Sequence, residues 1–188
     1  MIKLLSISAL AALTLSCPAY ASDTQALKQE AMTIAKQFAG TLKPQLVKAM
    51  KQGGPVHAIE VCAEQAPTIA QQLSQDTGWT IKRVSLKSRN AKTATPDAWE
   101  ESVLKEFDKQ QAKGVKVSKL TASNLQNGTF RFMKAQGVQG VCLTCHGNNI
   151  QPSVRQALRK HYPDDNATGY SLGQVRGALS LTKVLDNQ

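Results

Sequence analysis

The chain has 188 residues, 41 % of them hydrophobic, 19 % charged and 5 % aromatic, with a formal charge of +10. That is room for one domain with a mainly aliphatic core, and it excludes a disordered or collagen-like chain, a repeat array and a polytopic membrane protein. Four cysteines are too few for a disulfide-dense scaffold of this length.

The first residues read as an address. Lys3 supplies a positive start, Leu4 to Leu15 is an uncharged apolar run too short to span a bilayer, and Ala19-Tyr20-Ala21 fits the small-x-small cleavage rule. Cleavage after Ala21 is expected, with residues 1–21 as signal peptide and 22–188 as one mature domain in the periplasm. Cys17 leaves with the leader. No later segment is apolar enough to span a membrane. Lys and Arg are spread along the chain without a dense run interleaved with aromatics, so most read as a solvated surface, and the net positive field suits an acidic partner or an anionic membrane rather than nucleic acid.

From Asp23, a plausible N-cap, Leu27, Ala31, Ile34, Ala35, Phe38, Leu42 and Leu46 recur at helical spacing. Pro44 is expected to kink or split this helix, and Gly53-Gly54 to end it. A second helix starts at Pro55 and runs to about Ser74, with Ala58, Ile59, Cys62, Ala66, Ile69, Ala70 and Leu73 as its apolar stripe. Pro67 is expected to interrupt it. Thr80 to Leu86 reads as a strand and Lys87 to Thr95 as a loop. Thr95-Pro96-Asp97 reads as a helix start, with Thr95 the cap and Pro96 the first helical residue. Trp99, Val103 and Phe107 form the seam of that helix, which Gly114 stops. Val115 and Val117 alternate as in a strand. Asn127-Gly128 is a hairpin turn, with a strand from Thr129 to Ala135 beyond it. Val175 to Val184 is the last strand. The fold class is α+β, helices first and then a mostly antiparallel sheet.

Cys142-Leu143-Thr144-Cys145-His146 is C-x-x-C-H. In an exported chain this reads as a c-type haem attachment site: two thiols add to the two vinyl groups of one porphyrin, and the adjoining His ligates the iron. A thiol–disulfide site would come near the start of a thioredoxin-like domain and would leave His146 unexplained. Zinc would need a second pair of ligands at fixed spacing, which the scattered His57, Cys62 and His161 do not supply. One motif means one haem c. The other face of the iron has six candidates: His57, His161, Cys62, Met32, Met50 and Met133. Cys62 is the unpaired thiol of the mature chain and lies mid-stripe between Ala58 and Ala66, whose small side chains let a flat macrocycle approach. A buried free Cys acting as a small hydrophobe is the competing reading.

Several segments together resemble the Tll-type family of exported c-type haem domains with a PAS-like fold. They are Ala58-Ile59-Glu60-Val61-Cys62 with Ala66-Pro67; Arg83-Val84-Ser85-Leu86-Lys87 with Arg89-Asn90; Pro96-Asp97-Ala98-Trp99-Glu100; the haem motif with Gly147; and Tyr162-Pro163-Asp164-Asp165 through Ala167-Thr168-Gly169-Tyr170 to Val175-Arg176-Gly177-Ala178. The chain departs from the family at Ala91, where Pro is usual, and in a loop one residue longer before Pro96. The resemblance implies a PAS-like sheet flanked by helices, one covalent haem, His146 as one axial ligand and Cys62 as the other. It also implies a sensory setting. The expected function is a redox or small-gas haem sensor for CO or NO, read by a separate signalling or redox protein. A low-potential electron-transfer cytochrome is the alternative, because a thiolate favours ferric iron. Enzymatic activity is not expected, since Cys62 would block the open site a peroxidase needs.

Overall fold

A computed structural model describes residues 19–185, and the predicted leader lies outside them apart from the backbone of its last three residues. Helix α1 runs Ala19–Thr77 as two arms that meet at Gly53 and Gly54, whose backbone leaves helical geometry. Gly54 takes φ +69°, a conformation that suits a residue without Cβ. Ala31, Ile34, Ala35 and Phe38 of the first arm and Ala66 and Ile69 of the second share one buried cluster. The arms therefore fold back on each other over a common core. Pro44 and Pro67 interrupt neither arm, contrary to expectation. Both prolines are exposed, and water can serve the carbonyl that each leaves without its helical donor.

Four strands follow: β1 (Thr80–Val84), β2 (Thr121–Gln126), β3 (Thr129–Gly137) and β4 (Val175–Val184). They form one antiparallel sheet in the order β1-β4-β3-β2, which is the α+β fold and antiparallel sheet expected. The β2–β3 turn is Asn127-Gly128, both with positive φ, as a two-residue hairpin of the predicted kind requires. Alternation along the strands sorts the two faces of the sheet. Ile81, Phe130, Phe132, Leu179 and Leu181 pack under α1. Val84, Met133, Ala135 and Ala178 pack under α3 (Ala98–Ala112) with Leu104 and Phe107.

Helix α3 starts two residues later than the sequence suggested. Asp97, not Thr95, is the cap. Its carboxylate accepts from Glu100 N at 3.0 Å, and Glu100 Oε2 accepts from Asp97 N at 2.9 Å. A reciprocal pair of this kind outcompetes a Thr–Pro start. Between β1 and α3, where a loop was expected, one helical turn, α2 (Ala91–Ala94), forms. Val115 and Val117 make no strand; Val117–Lys119 is a 3₁₀ turn capped by Lys134, whose Nζ donates to Ser118 O at 2.7 Å. Two more helices occupy the β3–β4 connection, α4 (Leu143–His146) and α5 (Pro152–His161). No helix among the described residues is long and apolar enough to cross a membrane.

Candidate functional site

The C-x-x-C-H segment is one compact turn. Gly140–Cys142 forms a 3₁₀ turn that runs directly into α4. Gly147 closes it, donating to Leu143 O at 2.9 Å. A Cβ at position 147 would lie 2.6 Å from that same oxygen, so the turn needs glycine. Loop 167–170 holds the segment from the far side: Tyr170 N donates to His146 O at 2.9 Å, and Gly169 N to Gly147 O at 3.1 Å. Cys142 packs toward Val138, Ala167 and Tyr170. Cys145 packs toward Ile59 of α1 and toward Val154, Ala157 and Leu158 of α5.

That last cluster carries α1 to the motif. Ile59 precedes Cys62 by one helical turn, so the second arm of α1 brings Cys62 alongside the C-x-x-C-H segment. Cys62, Cys142 and Cys145 are all free, half-buried thiols, and Cys145 feels the charge of both other thiols. Burial raises the pKa of Cys62 despite the opposing positive charges of Arg83 and Arg89. Arg83 reaches this region from the sheet. It alternates with Ile81 on the α1 face and pairs across the ladder with Leu179. Ala58 and Ala66, the flanks of Cys62, are both buried.

His146 is held in one tautomer. Its Nδ1 lies 2.7 Å from Ala167 O. A carbonyl oxygen has no proton to give, so Nδ1 carries the hydrogen and donates, leaving Nε2 with a free lone pair. Arg176 Nε also lies 3.1 Å from Nδ1. It cannot donate to a nitrogen that is already protonated, so Arg176 acts on the ring as a neighbouring charge. Burial, then Arg176 and Arg89, push the pKa of His146 down to about 2. The imidazole is therefore neutral and able to donate a lone pair at any ordinary pH.

Arg176 is itself fixed, its Nη1 donating to Ser85 Oγ at 2.9 Å and to Lys87 O at 3.1 Å. Its guanidinium and Lys87 Nζ lie 5.4 and 5.0 Å from the centre of the Tyr170 ring, which meets His146 edge-on at 6.2 Å. Arg89 Nη2 donates to the carbonyls of Cys145 and Ala167, and Arg89 pairs with Asp165.

The remaining candidates fall elsewhere. Met133 is fully buried on the α3 face of the sheet, so the sheet separates it from the motif. Met32 packs against the core of the α1 hairpin. Met50 is half-buried near the end of the first arm. His57 Nδ1 faces Glu60 Oε2 at 3.6 Å near solvent. His161 ends α5 with Nε2 buried and without a hydrogen-bond partner in the protein. Sequence reading assigned no role to Arg89, Asp165, Ala167, Tyr170 or Arg176. Their signal lay in the segments after β1 and after α5, which close on the motif only in three dimensions.

These residues suit a wide, flat group better than a bare ion. Among the described residues no three His, Cys, Asp or Glu side chains converge on a point that could hold a metal ion. Two thiols on one turn, a lone pair on the adjoining ring and a third thiol on a facing helix are donors of the kind a covalently held macrocycle would use.

A family model described as Tll0287-like matches residues 18–183. Among solved structures, that of the cyanobacterial heme-protein Tll0287 is similar over 89 % of this chain and 97 % of that one, with a TM-score of 0.61 and 20 % identity. At that identity the likeness is one of fold. No curated protein matches the chain.

Proposed function

Because the chain belongs to the Tll0287-like family, we propose that it is an exported, periplasmic c-type cytochrome domain. It holds one haem c, attached through Cys142 and Cys145, with His146 and Cys62 as axial ligands. The observation that carries this reading is the 2.7 Å contact of His146 Nδ1 with Ala167 O. It frees Nε2 as a ligand on the same turn as two thiols, with a third thiol on the facing helix. The haem-protein character of the structural neighbour supports it. Haem held there supplies a one-electron couple and, where an axial position opens, a place for CO or NO.

The role is that of a redox or small-gas sensor, and Cys62 is the element that moves. As a thiolate ligand it is ionised. Once released it meets a buried environment that raises its pKa, so Sγ takes up a proton near neutral pH and rebinds poorly. The second arm of α1 then loses its tether to the C-x-x-C-H turn. The result is two positions for one helix, the form of change a separate partner can read. Low-potential electron transfer is the second reading. It is favoured by Lys87 and Arg176, both close to the Tyr170 ring beside His146, a cationic approach to the ligand that suits an acidic redox partner.

Two measurements on the exported protein test these claims. The mature mass should exceed that of the polypeptide by one haem that acid–acetone does not extract; a mass without it sinks the reading. CO added to the reduced protein should bind rapidly at micromolar concentration, with slow return of the thiolate spectrum on reoxidation. A reduced protein that stays six-coordinate and refuses CO moves the role to electron transfer.

A further inference from the structure

Arg89 lies outside the donor set, yet it grips the backbone on both sides of His146. Its Nη2 donates to Cys145 O, the carbonyl preceding His146, and to Ala167 O at 3.2 Å, the acceptor of the His146 ring proton. Its Nε donates to Asp165 Oδ1 at 3.2 Å, and Asp165 Oδ2 lies 3.2 Å from Nη2. The two side chains are only 13 % and 10 % exposed. Asp165 Oδ1 also accepts from Ala167 N at 2.8 Å. The ion pair thus holds residue 167 at both its N–H and its C=O.

Ala167 O has two lone pairs and serves two donors. The guanidinium is charged and draws electron density from the oxygen it binds, which makes that oxygen a weaker acceptor for Nδ1–H. The hydrogen bond at the far nitrogen of a ligating His sets the basicity of the ligating one. We propose that Arg89 is a positioning residue for His146: by sharing Ala167 O it weakens the Nδ1–H bond, and so limits the electron donation of Nε2 and raises the reduction potential of the site. Asp165 works in the opposite sense by offsetting the charge of Arg89. The proposal rests on reading His146 as the haem ligand.

The test uses the haem-loaded protein and three variants, with reduction potential and ferric EPR g-values as readouts. Arg89→Gln should shift the ferric–ferrous equilibrium roughly tenfold toward ferric, the effect of about one charge-assisted hydrogen bond, or a fall of about 59 mV for one electron. Asp165→Asn keeps an oxygen for Ala167 N and should raise the potential. Arg89→Lys keeps the charge but loses the planar fork, so its potential should still fall and its g-values should follow those of Arg89→Gln. Wild-type potentials in variants with full haem content would overturn the proposal. So would an Arg89→Lys protein with wild-type potential and g-values, because charge alone would then account for the effect. If Arg89→Gln does not fold or load haem, the opposite signs expected of Arg89→Lys and Asp165→Asn decide. A purely structural role would move both in the same direction. Wild-type protein without covalent haem would instead overturn the functional reading beneath it.

Discussion

Lys82 Nζ lies 2.9 Å from Glu100 Oε2, and Glu100 has no exposed surface. The same carboxylate accepts from Ser180 Oγ at 2.6 Å and meets Arg131 Nη2 at 3.3 Å. One buried acid therefore ties α3 to β1, β4 and β3 on the face of the sheet opposite Cys62. Replacing it by Leu leaves Lys82 without its acid, and Ser180 and the Asp97 N–H without their acceptor, while Arg131 keeps Asp97 Oδ2 at 2.6 Å. Glu100→Leu should cost about 3 kcal/mol, which for a domain of this size lowers Tm by roughly 10 °C. The loss should appear in thermal unfolding while the ferric spectrum stays that of wild type. A changed spectrum would mean that the two faces are coupled.

Cys62→Ala removes a side chain that lies between two buried alanines, and it leaves a small gap rather than a large cavity. The folded protein should survive with a loss of about 1–2 kcal/mol. Its ferric form should become high-spin or water-ligated. Optical and EPR spectra decide: a low-spin signature equal to wild type would remove Cys62 from the ligand set and make His57 the next candidate.

The pH dependence of the haem-free chain follows from His146. Its folded pKa, about 2, lies far below the ordinary value near 6.5. Between those values the folded state binds fewer protons than the unfolded chain, so stability is fully present above about pH 6.5 and falls as pH falls. By pH 4 the loss from this one group reaches up to ~3 kcal/mol. Urea unfolding of the Cys142→Ser/Cys145→Ser protein at pH 7, 5 and 4 should show this slope, and the same series with His146→Gln should be flatter. Equal slopes would mean that other groups carry the acid limb.

The elements read best from sequence were those written in local chemistry. Asn127-Gly128 marks its hairpin because only that turn wants two positive φ values, and Val175 to Val184 reads as a strand through its β-branched ends and apolar interior. The C-x-x-C-H motif declares itself by spacing. Where local rules failed, tertiary context prevailed. Pro44 and Pro67 break a helix in isolation, but packing along the other side of each arm holds α1 together. Helix α5 was missed although its signal was present: Pro152 at the first position, then Val154, Ala157 and Leu158, all buried, at helical spacing. The surroundings of His146 were illegible for a different reason. Ala167 contributes a backbone carbonyl, which has no side-chain signature, and Arg89 and Arg176 converge from segments far apart in the chain.

The order of strands in the sheet has a consequence for how the protein matures. Strand β4 lies between β1 and β3 and pairs with both, yet it comes after the cysteine pair in the chain. A polypeptide emerging from its N-terminus exposes Cys142 and Cys145 before the sheet can close, because β1 has no neighbour until β4 arrives. Non-local pairings of this kind close slowly. The two thiols therefore pass through a period on an open, unfinished scaffold, and chemistry on them is easiest then. Once β4 docks, Arg176 comes to rest against His146, and the last strand to arrive becomes the latch on the finished site.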